Sequence, residues 1–199
     1  MSAPEAGILT IGYGQRDRDK FLGLLAEHQV QYLGDVRTSP YSRYNPDFSR
    51  EPMRTWLQEA GVTYVFLGDT LGGAPDDPDV RLAPRGPHAA GVKVDYERMR
   101  ELPVFQRGME RLRTAWRQGV RLALMCSEGK PELCHRARLI GVALAVEEIP
   151  VGHIDEHGVL RTQEEVMLRI DNGQGLLPGF GASAKASRSS RSWRVPKDS

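Results

Sequence analysis

The feature that most constrains this chain is an order: short β-rich apolar runs alternate with stretches of helical spacing. Ile8-Leu9-Thr10-Ile11-Gly12 is the first run. Asp17 or Asp19 can cap a helix after it, in which Phe21, Leu22, Leu24, Leu25 and His28 repeat at helical spacing. Residues 30–36 read as a second buried strand. Strand, helix and strand in that order make a βαβ unit with parallel strands. The alternation continues with a helix over 51–60, a strand over 62–67 and a helix marked by Phe105, Met109, Leu112 and Trp116. A strand over 120–125 delivers Cys126, and Pro131 suits the first turn of the next helix, with Ala137, Ile140, Gly141 and Leu144 on its inner face. A fifth strand over 151–154 carries His153. Thr162-Gln163-Glu164-Glu165 then has the capping-box pattern and opens a last helix ending near Ile170.

This order predicts an α/β fold: a three-layer domain with a mostly parallel central sheet of four to five strands flanked by helices. The length of 199 residues suits one domain over 1–170, and residues 171–199 read as a flexible basic C-terminal tail. A net charge of +1 gives no global reason for polyanion or membrane binding. No run approaches the roughly 18 apolar residues of a membrane span, and residues 1–7 lack the pattern of a signal peptide. Two cysteines make no disulfide framework at this length, so the expected setting is cytoplasmic.

Right-handed crossovers bring the turns after the strands to one sheet edge, where open α/β sheets bind ligands. Four turns converge there: residues 12–16, 37–49, 68–73 and 126–136. The last holds both cysteines. Cys126, at a strand end facing a helix, is a candidate nucleophile, its thiol favoured as thiolate by the helix dipole and by Lys130, His135 and Arg136. Arg136 can hold a phosphate or carboxylate bidentately. Nine residues separate Cys126 from Arg136, too many for the Cys-x5-Arg loop of cysteine phosphatases, and no compact amide loop of the rhodanese kind follows Cys126. Metal binding draws on Cys126, Cys134 and His135. Adjacent residues on a helix diverge by roughly 100°, however, and no Cys-x2-Cys pair exists. No metal ligands and no cofactor are therefore assigned, a divalent metal remaining the alternative.

The turn after the second strand brings Asp35, a candidate acid–base group, with Arg37 and Arg43 as anion ligands and Tyr41 and Tyr44 for stacking on a ring. Glu128 is a second candidate for proton handling. Tyr13, beside Gly12 and Gly14, can line the site, and Gly72 and Gly73 permit close backbone approach to a ligand. His153 is expected to support its strand, and Trp56 and Trp116 to anchor the core.

Thr10-Ile11-Gly12-Tyr13-Gly14, the run from Asp35-Val36-Arg37 through Tyr41, Arg43 and Asn45 to Phe48, Leu67-Gly68-Asp69-Thr70-Leu71-Gly72-Gly73, and Cys126-Ser127-Glu128 with Cys134-His135-Arg136 together resemble the DUF488 family. The resemblance spans residues 8–154. Tyr13-Gly14 departs from the histidine–serine that commonly follows this glycine in the family. The resemblance implies an α/β domain and no particular reaction. The resulting expectation is an enzyme binding a phosphate-bearing substrate, a nucleotide or nucleic acid component, with Asp35, Cys126 and Glu128 catalytic. Tyr13, Arg37, Tyr41, Arg43, Tyr44, Gly72, Gly73, His135 and Arg136 would bind substrate. A non-catalytic nucleic-acid-binding module and a Cys/His metal or redox sensor are the rivals.

Overall fold

The computed structural model describes residues 7–74, 77–82 and 93–170. The basic tail expected over 171–199 lies outside the described residues. In chain order the elements are β1 (Ile8–Gly12), α1 (Arg18–Glu27), β2 (Tyr32–Asp35), α2 (Arg50–Glu59), β3 (Thr63–Phe66), the single turn α3 (Gly68–Leu71), β4 (Arg81–Leu82), β5 (Lys93–Val94), α4 (Tyr96–Glu101), α5 (Pro103–Arg117), β6 (Leu122–Cys126), α6 (Val142–Val146), β7 (Val151–Ile154), β8 (Leu160–Thr162) and α7 (Gln163–Ile170). The central sheet runs β3-β2-β6-β1-β7-β8, parallel throughout except for β8 against β7. β4 and β5 pair separately. The protein is thus a three-layer α/β domain.

Alternation along the strands makes the layers, because successive side chains point to opposite faces. Leu122, Leu124 and Cys126 of β6 join Phe105, Met109 and Leu112 of α5 and Ile140 and Leu144 on one face. Ala123 and Met125 join Leu9, Ile11 and Tyr13, with Phe21 and Leu25 of α1 and Met53, Trp56 and Leu57 of α2, on the other. Among the described residues no helix is long and apolar enough to cross a membrane.

Caps seat the helices as their sequences require. Asp17 accepts from the Lys20 amide at 2.8 Å. The Thr162–Glu165 capping box closes in both directions: the Glu165 amide donates to Thr162 Oγ1 at 3.1 Å and the Thr162 amide to Glu165 Oε2 at 2.8 Å.

Two expectations need correction. The sheet has six strands, because the three-residue β8 turns back on β7 through Gly158, whose φ is 81°. The continuous helix expected from Pro131 is broken: Pro131–Leu133 is a single 3-10 turn, Cys134 is extended, and a π-helical stretch, Arg136–Gly141, precedes α6. Proline set the start of a turn here, and nothing carried that turn forward.

Candidate functional site

The parallel register lines up the strand ends that matter. Gly12 pairs with Cys126, and Asp35 with Met125. The Tyr13 amide donates to the Cys126 carbonyl at 3.1 Å and the Gly14 amide to the Ser127 carbonyl at 2.9 Å. This approach requires glycine: a Cβ on Gly12 would lie 1.8 Å from the Glu128 carbonyl oxygen. The 126–136 turn therefore closes over the end of β1. Beside it opens a cavity of about 400 Å³, lined among others by Tyr13, Arg37, Tyr41, Cys126, Cys134 and His135.

Cys126, Cys134 and His135 come together in its wall. The His135 Nδ1 is 3.8 Å from Cys126 Sγ and 3.7 Å from Cys134 Sγ. His135 Nε2 lies 3.1 Å from the Val36 carbonyl oxygen, which can only accept, so Nε2 carries the proton and Nδ1 faces the sulfurs. Gly73 packs against the ring, where an added Cβ would be 2.4 Å from His135 Cγ. Cys134 and His135 do not diverge as adjacent helical residues would, because Cys134 is extended and the helix begins after it. A hydrogen bond from the Cys134 thiol, against the opposing effect of burial and with help from His135, draws the Cys126 thiol far below its ordinary value. Cys134, giving that hydrogen bond and buried, is pushed well above its own.

Arg37 and Asp35 form the second wall. Asp35 is fully buried and takes Arg37 Nε at 2.9 Å, Arg37 Nη2 at 2.7 Å and the Tyr64 hydroxyl at 2.9 Å. Burial opposes the Arg37 charge, but Asp35's hydrogen bonds and charge outweigh it and raise the guanidinium pKa. Burial first, then the Asp35 carboxylate, pushes the Tyr64 phenol up as well. Asp35, expected as an acid–base group, is thus occupied in fixing Arg37. The Arg37 guanidinium also lies 5.4 Å from the Tyr13 ring centroid, and Tyr13 stacks on Phe48 at 4.4 Å. Arg37 Nη1 has no hydrogen-bond partner among the described residues.

The other expected residues divide. Tyr41 lines the cavity while 71% exposed, and Glu128 lines it with Oε1 accepting the Lys130 amide at 3.0 Å. Arg43 and Tyr44 are exposed on the neighbouring loop and do not line it. Gly72 lies close to the Gly68 carbonyl and the Thr38 side chain, so the close approach made by the two glycines is to the protein itself. Arg136 departs furthest from expectation. It is fully buried, and its guanidinium donates to the Glu128 and Gly129 carbonyls, the latter at 2.8 Å, bracing the turn instead of facing the cavity. Cys134 and Tyr96 also line the cavity. Cys134, by its sequence a candidate for metal binding alone, reaches the cavity because the helix from Pro131 is broken, and Tyr96, at the start of α4, follows a segment with no readable pattern.

Fold and site together define an open α/β protein with a thiol–imidazole cluster and an arginine–aspartate pair at the carboxyl edge of a parallel sheet. Residues 17–143 match the family model described as "Domain of unknown function DUF488". The chain belongs to that family. The match takes in the turns after β2, β3 and β6 and leaves the Gly12–Gly14 turn just outside it. No curated protein and no solved structure matches the chain.

Proposed function

We propose that the protein is an enzyme, a hydrolase or transferase, whose cavity takes a phosphate-bearing substrate such as a nucleotide or nucleic acid component. One observation carries this reading: Arg37 sits in the cavity wall with Nε and Nη2 committed to Asp35 and Nη1 unpartnered among the described residues. A buried donor left unpaired costs about 1–3 kcal/mol, and more when charged. An anionic oxygen is the acceptor that best relieves it. Asp35 positions Arg37, the exposed Tyr41 ring offers a stacking face, and Glu128 at the rim handles protons. In the metal-free protein Cys126, held as thiolate beside His135, is the nucleophile. Two free cysteines fit a reducing cytoplasmic setting.

The test is a thermal-shift comparison with inorganic phosphate and nucleoside mono- and diphosphates. A ligand at 100 times its Kd stabilises by about 2.7 kcal/mol. Arg37→Lys keeps a charge near Asp35 but loses the planar fork, and should abolish most of that shift. The proposal fails if no phosphorylated compound moves the midpoint of the unaltered protein.

Exposed Arg43 and Tyr44, the latter 94% exposed, next to Tyr41 favour a second reading in which the same face binds a nucleic acid strand without catalysis. Affinity for a short oligonucleotide that falls steeply with salt, without turnover, distinguishes it.

A further inference from the structure

We infer that Cys126, Cys134 and His135 form a binding site for one zinc-like divalent cation, with its fourth coordination position left to the cavity. Their ligand atoms all lie within 4.8 Å of one another, with the two Sγ–Nδ1 separations at 3.8 and 3.7 Å. Tetrahedral zinc with sulfur at about 2.3 Å and nitrogen at about 2.0–2.1 Å requires sulfur–nitrogen edges of about 3.6 Å and a sulfur–sulfur edge of about 3.8 Å. The two sulfur–nitrogen separations already stand near that edge, and the sulfur–sulfur separation is within 4.8 Å.

Hydrogen bonding alone explains this convergence less well. With the Cys134 thiol donating to Cys126, the single lone pair on Nδ1 of an Nε2-protonated imidazole faces two sulfurs and can serve at most one of them. A cation uses all three atoms. The Val36 carbonyl accepting from His135 Nε2 is the outer contact that metal-bound histidines typically make, fixing both tautomer and ring orientation. Gly73 presses on the same ring from the 68–73 turn. Two sulfurs and an imidazole select a borderline or soft ion over magnesium or calcium.

No fourth His, Cys, Asp or Glu joins the cluster among the described residues, and all three ligands line the cavity. A protein-closed structural site would supply the fourth ligand itself; three ligands and an open position are the catalytic pattern. The inference shares the cavity with the proposed function but rests on different atoms. It also bears on the chemistry there, because a bound ion makes Cys126 a ligand instead of a nucleophile. Two thiolates and one divalent ion sum to zero charge, which removes the repulsion a lone thiolate would exert on an incoming phosphate.

The experiment uses the full chain, stripped with a chelator under a phosphine reductant and titrated with Zn²⁺ against a chromophoric competitor. One Zn²⁺ per chain is expected, and Co²⁺ in its place should give tetrahedral ligand-field bands with thiolate-to-cobalt charge transfer for two sulfurs. Cys126→Ser and Cys134→Ser should each weaken Zn²⁺ binding by roughly a hundredfold or more, beyond the 10–100-fold typical of losing an outer contact. The Co²⁺ spectrum needs no variant, so a serine substitution that unfolds the chain leaves the test intact. Zn²⁺ affinity no greater than that of the double Cys126→Ser/Cys134→Ser variant overturns the inference, and so does a cobalt complex without thiolate charge transfer. Inorganic phosphate is then added to stripped and loaded protein. Zinc binding without any phosphate effect retains the metal site and sinks the proposed function. Phosphate binding to stripped protein that takes up no zinc does the reverse.

Discussion

Two histidines, 18 positions apart, illustrate how closure separates structure from function. His153, in β7, is fully buried: Thr10 Oγ1 lies 2.7 Å from its Nδ1, and Gln163 Oε1 lies 2.6 Å from its Nε2. Gln163 completes the chain by donating to the Ala137 carbonyl at 3.1 Å. Every polar atom has a protein partner, so the network ties β1, β7, the π-helical stretch and α7 together and has no capacity left over. His135 is tied at one nitrogen only, and its other nitrogen meets two sulfurs at an open cavity. The first histidine is closed by the fold on both nitrogens, and the second keeps one nitrogen at the sulfur-lined wall of the cavity.

The largest expected effect comes from the buried ion pair in the cavity wall. Asp35→Asn removes the carboxylate from under Arg37 and leaves a buried guanidinium uncompensated, at an expected cost of about 3–5 kcal/mol in urea unfolding. A loss below 1 kcal/mol would mean that the pair is far more hydrated than its burial indicates.

Acid provides the next largest effect. Burial holds the His153 pKa down to about 4, from an ordinary 6.5. Between those values the unfolded chain binds a proton that the folded chain does not, so stability is fully present above pH 6.5 and falls as pH drops toward 4. The loss over that window is roughly 3 kcal/mol. Urea midpoints at pH 7 and pH 4.5 should show it, and His153→Gln should flatten that slope while lowering stability throughout. An unchanged slope in the variant would assign the acid sensitivity to other groups.

Thr10→Val should cost about 1–3 kcal/mol by stranding His153 Nδ1, with no effect on thiol chemistry. Gly73→Ala acts in the opposite sense. Its new methyl would press on the His135 ring, so global stability should move by about 1 kcal/mol or less while Zn²⁺ affinity falls about tenfold or more. Equal effects of the two substitutions on both measurements would erase the distinction between the closed and open histidines.

Much of the frame is legible in the residues. Leu122, Leu124 and Cys126 against Ala123 and Met125 state the two faces of β6, and Thr162 with Glu165 states the start of α7. The convergence of the turns after β1, β2 and β6 follows from parallel connectivity alone. Long-range closure was harder to read. Nothing local in Arg136 says that it will be swallowed by the carbonyls of its own turn, or that Asp35 will spend its lone pairs on Arg37 and Tyr64. Pro131 misled for a specific reason. It permits a helix to start but does not commit the chain to continue one, and the break at Cys134 decides whether two cysteines and a histidine can meet. β8 escaped because two half-exposed residues and one exposed residue carry little periodicity.

The central claim is that the cavity beside Cys126 takes an anionic phosphate ligand at Arg37. The most direct measurement is the rate at which a small neutral haloacetamide alkylates Cys126 in stripped, reduced protein, with and without a nucleoside diphosphate. Slower alkylation in the presence of the nucleotide, abolished in Arg37→Lys, is the predicted result. An identical rate with and without every phosphorylated compound tried would contradict it.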